Sequence, residues 1–328
     1  MIKGMCEHDF QLLSEDYWIR MKELGVKIVR VDFSWWYIQR DSPTQWDWMR
    51  CDAIVALAKK YDIQILALLG TSPKWANGGH PQGKETGYWF CPCSIGYSYS
   101  RYVIELVDRY AHYIKHYEVW NEPNSKGFWS NSKIDGDDAS GYMAMLKQTF
   151  EIIKTFDASL QVVSAGLVDF GFKRVKNWFP IGTSLVNQLG YIHDMYSQGL
   201  KDYCDIFAIH PYFGDTNPKD KRWYMSNGLP ARWNWEDGMK AVRKVMELNG
   251  DTKPIWVTET GWQTNSKVSE QKQSDYLKLI YETKLPYIQA VFWYELFDTG
   301  DKPTDWTYGI VKSNGQPKLA YNTYRGLK

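Results

Sequence analysis

Short apolar runs rich in β-branched residues alternate along the chain with longer stretches whose apolar positions recur every three or four residues. The first kind fits buried parallel strands and the second fits amphipathic helices, so the alternation predicts βα units around a parallel sheet. Eight strands are expected, at 2–6, 27–34, 63–69, 117–121, 161–166, 205–211, 254–258 and 288–295. Helices should follow at 14–24, 48–60, 98–113, 139–155, 184–198, 236–248, 269–283 and 318–326. Gly25, Gly199 and Gly250 stand where helices would close, and Ser14 and Ser269 where they would open. Eight such units predict an α/β fold, a closed (β/α)8 TIM barrel formed as a single domain over residues 1–328.

Connections from helix to strand are short, whereas four from strand to helix, at 71–97, 124–138, 213–235 and 297–311, are long. Long loops after strands gather on the C-terminal face of a barrel, where active sites are built. By these boundaries 12 of the 17 tryptophans, Trp89, Trp178 and Trp306 among them, fall in strand-to-helix loops. An indole face can pack on the apolar face of a sugar ring while the hydroxyls reach polar neighbours. About half of these rings are expected only to pack the loops together.

The 328 residues carry 39 Lys plus Arg against 38 Asp plus Glu, a net charge of +1, which disfavours nucleic acid or an anionic membrane as partner. The longest apolar run, 65–69, is far below the roughly 20 residues of a membrane helix. Residues 1–10 hold Lys3, Glu7, His8 and Asp9 and no apolar signal core, so the cytoplasm is the default expectation unless a leader was trimmed. Cys6, Cys51, Cys91, Cys93 and Cys204 are odd in number and form no Cys-x-x-Cys pair, so free thiols are expected. His112 and His116 lack the Glu that follows the first His of a zinc-protease helix and are read as solvated helix residues. Asp135, Asp137 and Asp138 lack calcium-loop spacing, and there is no glycine-rich phosphate loop. No metal or cofactor is expected.

Two glutamates end expected strands on the loop-rich face: Glu122 after Val119-Trp120-Asn121, and Glu259 after Trp256-Val257-Thr258. Strands four and seven lie across a barrel from each other, so both side chains can converge over its centre. Cleavage of a glycoside passes through an oxocarbenium-like transition state and needs two carboxyl groups, one attacking the anomeric carbon and one protonating the leaving oxygen. Arg30, inward-facing and fixed in charge, is the expected partner that keeps Glu259 ionised.

Asn121-Glu122-Pro123 after strand four and Glu259 after strand seven resemble the retaining β-glycosidases of glycoside hydrolase clan A. Arg30, Trp75 in Ser72-Pro73-Lys74-Trp75, His210 and Tyr212 in Ile209-His210-Pro211-Tyr212, and Trp293 match the same pattern. Trp120-Asn121-Glu122-Pro123-Asn124 and Val31-Asp32-Phe33-Ser34-Trp35 look most like family 39, with family 5 next. The resemblance covers nearly the whole chain and implies Glu122 as acid/base and Glu259 as nucleophile. It also implies Asn121 on the sugar 2-hydroxyl, Tyr212 donating to Glu259, His210 supporting the acid/base or the sugar, and Trp293 as the floor of the reacting subsite. Trp35 and Trp75 are expected to touch substrate. The chain ends soon after the eighth helix, without the accessory β-domain of family 39 xylosidases, so their exo specificity is not implied.

The expected activity is therefore retaining, endo-acting hydrolysis of a β-1,4-linked polysaccharide such as mannan, glucan or xylan, by a monomer whose partner is an oligo- or polysaccharide. An exo-β-glycosidase of β-xylosidase or β-glucosidase type is the alternative within the class. From another class, a catalytically inactive carbohydrate-binding barrel is disfavoured because both carboxylates and their supports are present.

Overall fold

Branched and aromatic runs form the strands of the computed structural model, which describes residues 1–77, 97–125, 127–129, 139–168, 188–226, 229–300 and 306–327. These strands are β1 (Ile2–Glu7), β2 (Ile28–Asp32), β3 (Gln64–Leu69), β4 (His116–Val119), β5 (Gln161–Val163), β6 (Leu167–Val168), β7 (Phe207–His210), β8 (Arg222–Ser226), β9 (Leu229–Trp233), β10 (Ile255–Thr260) and β11 (Ile288–Tyr294). Nine of them form one parallel sheet in the order β5-β4-β3-β2-β1-β11-β10-β7-β6, and β8 and β9 pair as a separate antiparallel hairpin. The two ends of the sheet meet. Val163 bridges Ile206 in parallel, the Asp205 N–H donates to Val162 O at 2.8 Å, and the Ser164 N–H donates to Ile206 O at 3.0 Å.

Helices α1 (Glu15–Glu23), α2 (Trp35–Ile38), α3 (Met49–Tyr61), α4 (Tyr97–Tyr110), α5 (Ser140–Phe156), α6 (Gln188–Ser197), α7 (Trp235–Leu248), α8 (Glu270–Glu282) and α9 (Leu319–Gly326) intervene. Gly25, Gly199 and Gly250 follow α1, α6 and α7 with positive φ, a conformation that favours glycine at a helix end. Ser269 caps α8 by accepting from Lys272 N–H at 3.3 Å, whereas the Ser14 hydroxyl makes no cap to α1. A reciprocal capping box, Asn234 with Asp237, opens α7. Among the described residues no helix is long and apolar enough to cross a membrane.

Side chains alternate across the curled sheet and separate two apolar layers. The larger lies between strands and helices and contains Trp18, Trp35, Trp262 and Trp293; the smaller lies inside the curl and contains Cys6, Ile28, Leu66, Val163, Ile206, Ala208, Trp256, Phe292 and Tyr294.

Four expectations need correction. Trp293 is 0% exposed on the helix side, stacked 6.0 Å from Trp262, because the inward positions of β11 are Phe292 and Tyr294. Trp35 is likewise fully buried, with Trp75, Tyr99 and Tyr102 at 5.6, 5.7 and 5.5 Å and its indole N–H donating to Gln39 Oε1. His116 is not a solvated helix residue: it opens β4 inside the curl, 4.9 Å from the Trp256 ring, and burial pushes its imidazole down to about 4. The fifth strand, expected at 161–166, is two short pieces, β5 and β6, whose backbone groups find side-chain partners described below. Cys6, Cys51 and Cys204 are buried free thiols. The readings of Cys91, Cys93, Trp89, Trp178 and the Asp135–Asp138 segment lie outside the described residues.

Candidate active site

Over the apolar interior stands a layer of charge. Arg30 on β2 is 3% exposed and uses its fork on four partners: Nε and Nη2 donate to Glu118 at 2.6 and 3.2 Å, Nη1 to Glu259 Oε1 at 2.6 Å and to Cys6 Sγ at 3.4 Å, and Nη2 to Asn121 Oδ1 at 2.7 Å. A buried guanidinium without anions would be costly, and two carboxylates in hydrogen-bonding geometry supply the compensation. Because Arg30 can only donate, Asn121 must turn its oxygen to it, which leaves the amide N–H2 facing away from the guanidinium.

Glu122 is raised into the centre by an abrupt bend at the end of β4, where Trp120 (φ 70°) and Glu122 (φ 44°) both take left-handed conformations that side chains rarely adopt. The bend is tied down by Trp120 N–H on Leu69 O, the Trp120 indole on Phe128 O, and Glu122 N–H on Gly166 O. Its carboxyl, 6% exposed, meets His210 Nδ1 at 2.9 Å. His210 at the end of β7 is fully buried, and its Nε2 lies 3.0 Å from Thr258 Oγ1. Only glycine fits opposite it, since a Cβ on Gly166 would stand 2.0 Å from His210 Nε2.

Glu259 on β10 accepts from Arg30 on one oxygen and from the Tyr212 hydroxyl, at 2.8 Å, on the other. The two carboxyls are driven in opposite directions. Burial pushes Glu122 up, aided by the charge of Glu259 and only partly opposed by the more distant Arg30. Burial would also lift Glu259, but the Arg30 guanidinium and the Tyr212 hydroxyl on its two oxygens hold that carboxyl below its ordinary value. Such a divergence between neighbouring carboxyls is the pattern of an acid paired with a nucleophile.

Of the residues singled out from sequence, the fold brings together Arg30, Asn121, Glu122, His210, Tyr212 and Glu259. It holds Trp35 and Trp293 in the outer layer, and Trp75 half-buried against that layer with its N–H on Gln39 O at 2.7 Å. Glu118, Gly166, Thr258, Tyr294 and His8 were missed. Glu118 had a signal, a lone acid between Tyr117 and Val119 in a strand that also needs an anion for Arg30. His8 lies at the rim between Asp32 (2.9 Å) and the Tyr294 hydroxyl (3.2 Å); burial draws its imidazole down, but the Asp32 carboxylate more than offsets this and carries it up to about 9.

Donor atoms of Glu122, His210 and Glu259 lie within 4.8 Å of one another, the one such grouping among the described residues. Both Glu259 oxygens and both ring nitrogens already have protein partners, so the group is accounted for without an ion.

No family model matches the chain, and no curated protein matches it. Solved structures do. A family 39 glycoside hydrolase from the gut symbiont Bacteroides cellulosilyticus WH2 superimposes with a TM-score of 0.73 at 20% identity, over 99% of this chain and 62% of that one. A monomeric β-xylosidase from Caulobacter crescentus CB15 gives 0.69 at 18%, over 98% and 66%. The GH39 enzyme from Xanthomonas axonopodis pv. citri gives 0.67 at 18%, over 99% and 65%. The chain thus spans slightly less than two thirds of the length of these structures, and what it shares with them is the fold of family 39 glycoside hydrolases, the family its motifs resemble.

Proposed function

We propose that the chain is a single (β/α)8 catalytic domain that hydrolyses β-linked glycosides with net retention. The observation that carries the reading is the pair Glu122 and Glu259: facing oxygens within 4.8 Å of each other, with burial pushing the first carboxyl up and its partners holding the second down. Carboxyl groups about 5 to 5.5 Å apart suit retention, whereas inversion needs about 6.5 to 9.5 Å to seat a water between them.

Glu259 attacks the anomeric carbon as the bond to the leaving oxygen breaks, and Glu122 gives its proton to that oxygen. The resulting glycosyl ester on Glu259 is opened by a water whose proton Glu122 takes, which restores both groups. Arg30 and Tyr212 keep Glu259 anionic before attack and share its charge when it leaves. The free amide N–H2 of Asn121 is suited to the sugar 2-hydroxyl, a contact that strengthens in the transition state. Tyr294, rather than Trp293, supplies the inward aromatic ring beside the nucleophile.

Endo action on a β-1,4 polysaccharide is the reading that the long loops favour. Several of their tryptophans, Trp35, Trp129, Trp235 and Trp262, are packing residues, while Trp306 is 59% exposed. A pocket-type exo-glycosidase is the second reading, favoured by the name β-xylosidase on one of the similar structures.

The test is reducing-end release from soluble mannan, glucan, xylan and galactan by wild type and Glu259→Ala, with product sizes read by chromatography. Mixed oligosaccharides from one polymer, lost by at least about 10⁴-fold in the variant, support endo-hydrolysis with Glu259 as nucleophile. Monosaccharide alone favours the exo reading. Binding without cleavage by wild type overturns the hydrolase in favour of a binding protein.

A further inference from the structure

The hydrogens along one line of side chains follow from what each partner can give. Glu118, facing the Arg30 fork and the Gly166 N–H at 3.0 Å, is an acceptor. Thr258 Oγ1 stands 3.2 Å from Glu118 Oε1 and 3.0 Å from His210 Nε2. A hydroxyl has one hydrogen. Thr258 gives it to the carboxylate and must accept from the ring, so Nε2 of His210 bears a hydrogen. In a neutral imidazole Nδ1 then carries the lone pair, and the hydrogen in the 2.9 Å contact between Nδ1 and Glu122 Oε1 belongs to the glutamic acid.

We propose that Thr258 is a positioning residue: by dictating which nitrogen of His210 carries the hydrogen, it keeps Glu122 in its protonated, proton-donating form. The proposal rests on the acid/base reading of Glu122. The charged groups around this pair come from three strands. Glu118 and Glu259 approach His210 at 3.9 Å from β4 and β10, Arg30 on β2 holds both of those carboxylates, and the Tyr212 hydroxyl faces Glu259. Thr258→Val keeps the shape and removes the hydroxyl: Glu118 loses that one donor but keeps Arg30 and the Gly166 N–H, and the other groups keep all the partners named here. Without its acceptor the buried Nε2–H is unpaired, and nothing then holds the hydrogen on Nε2; it moves to Nδ1, where it donates to an ionised Glu122 in a charge-assisted bond and leaves only the Nε2 lone pair without a partner.

The experiment has two readouts. Tautomers are read by ¹⁵N NMR of histidine-labelled wild type, with His210→Asn identifying the signal. The pH dependence of kcat/KM is measured for wild type, Thr258→Val and Thr258→Ser on aryl β-xylosides, β-glucosides, β-galactosides and β-mannosides with good and poor leaving groups. A wild-type His210 protonated at Nε2 only is expected. In Thr258→Val the alkaline limb should move down by about one pH unit, with poor leaving groups slowed by about 10- to 100-fold and dinitrophenyl substrates nearly spared. Thr258→Ser should restore both. A wild-type ring protonated at Nδ1, alone or together with Nε2, overturns the proposal even if Thr258→Val fails to fold. So does an unmoved alkaline limb in a folded, active Thr258→Val. Absence of cleavage by wild type overturns the hydrolase reading instead, and the NMR result then decides the tautomer by itself.

Discussion

Trp293 and Tyr294 are neighbours in the chain and face opposite sides of the same sheet, and the two sides are built differently. On the helix side Trp18, Trp35, Trp262 and Trp293 are fully buried in a layer whose demands are shape and apolar area. On the inner side the apolar floor gives way to Arg30, Glu118, Glu122 and His210, none more than 6% exposed, each held by specific partners. The outer layer can lose contact area gradually. The inner layer cannot lose one partner without leaving another charge or polar group buried and unpaired.

Substitutions can break that contrast. Arg30→Met, which strands Glu118 and Glu259, should have the largest effect, lowering stability by about 3 to 5 kcal/mol in denaturant unfolding and abolishing turnover. A loss below 1 kcal/mol would mean that the inner layer is no more demanding than the outer. Gly166→Ala, placing a Cβ against His210, is next: overpacking of about 1 to 3 kcal/mol, with turnover on poor leaving groups reduced by more than about tenfold as the ring leaves Glu122. Trp293→Phe and Tyr294→Phe then sharpen the comparison. The first should lower the melting midpoint and spare kcat/KM within about twofold, whereas the second should lower kcat/KM with little change in melting; the reverse pattern would put the substrate-facing ring at 293 after all.

Smallest is the pH response of the wild type. Activity needs Glu259 ionised and Glu122 protonated, so it should rise as pH climbs through the depressed value of Glu259 and fall as pH passes the raised value of Glu122. A rate that already declines within the ordinary carboxylate range would contradict the protonated form of Glu122.

Much of this was legible in the chain. The runs that became β2, β3, β10 and β11 are apolar enough to declare buried strands, and Glu122 and Glu259 stand out because a charge closing such a run must be accounted for. The inner partners were harder to see. Arg30 meets Glu118 across the intervening β3, and His210 meets Thr258 on the adjacent strand, only once the strands are in register. Trp293 was misplaced for a related reason: an aromatic residue in a doubly covered strand does not say which cover it faces, and a step of one residue reverses the answer; Trp35 was misplaced because the loop expected after β2 opens with the short helix α2, which packs it outward.

The fifth strand follows yet another logic. Along residues 162–168 the backbone N–H groups of Val162, Ala165, Gly166 and Val168 are taken by Asp205, the Tyr142 hydroxyl, Glu118 and Asn124, and the Asn124 amide returns a hydrogen bond to Val168 O. Elsewhere the sheet is joined by main-chain ladders, which any residue except proline can sustain. Here a single bridge and two main-chain bonds are reinforced by side chains, so a descendant sequence could weaken the closure by drifting at these four partners while every other ladder stayed intact. Glu118 is one of them, which makes the carboxylate that balances Arg30 also a rivet of the seam and couples inheritance of the site to inheritance of the ring.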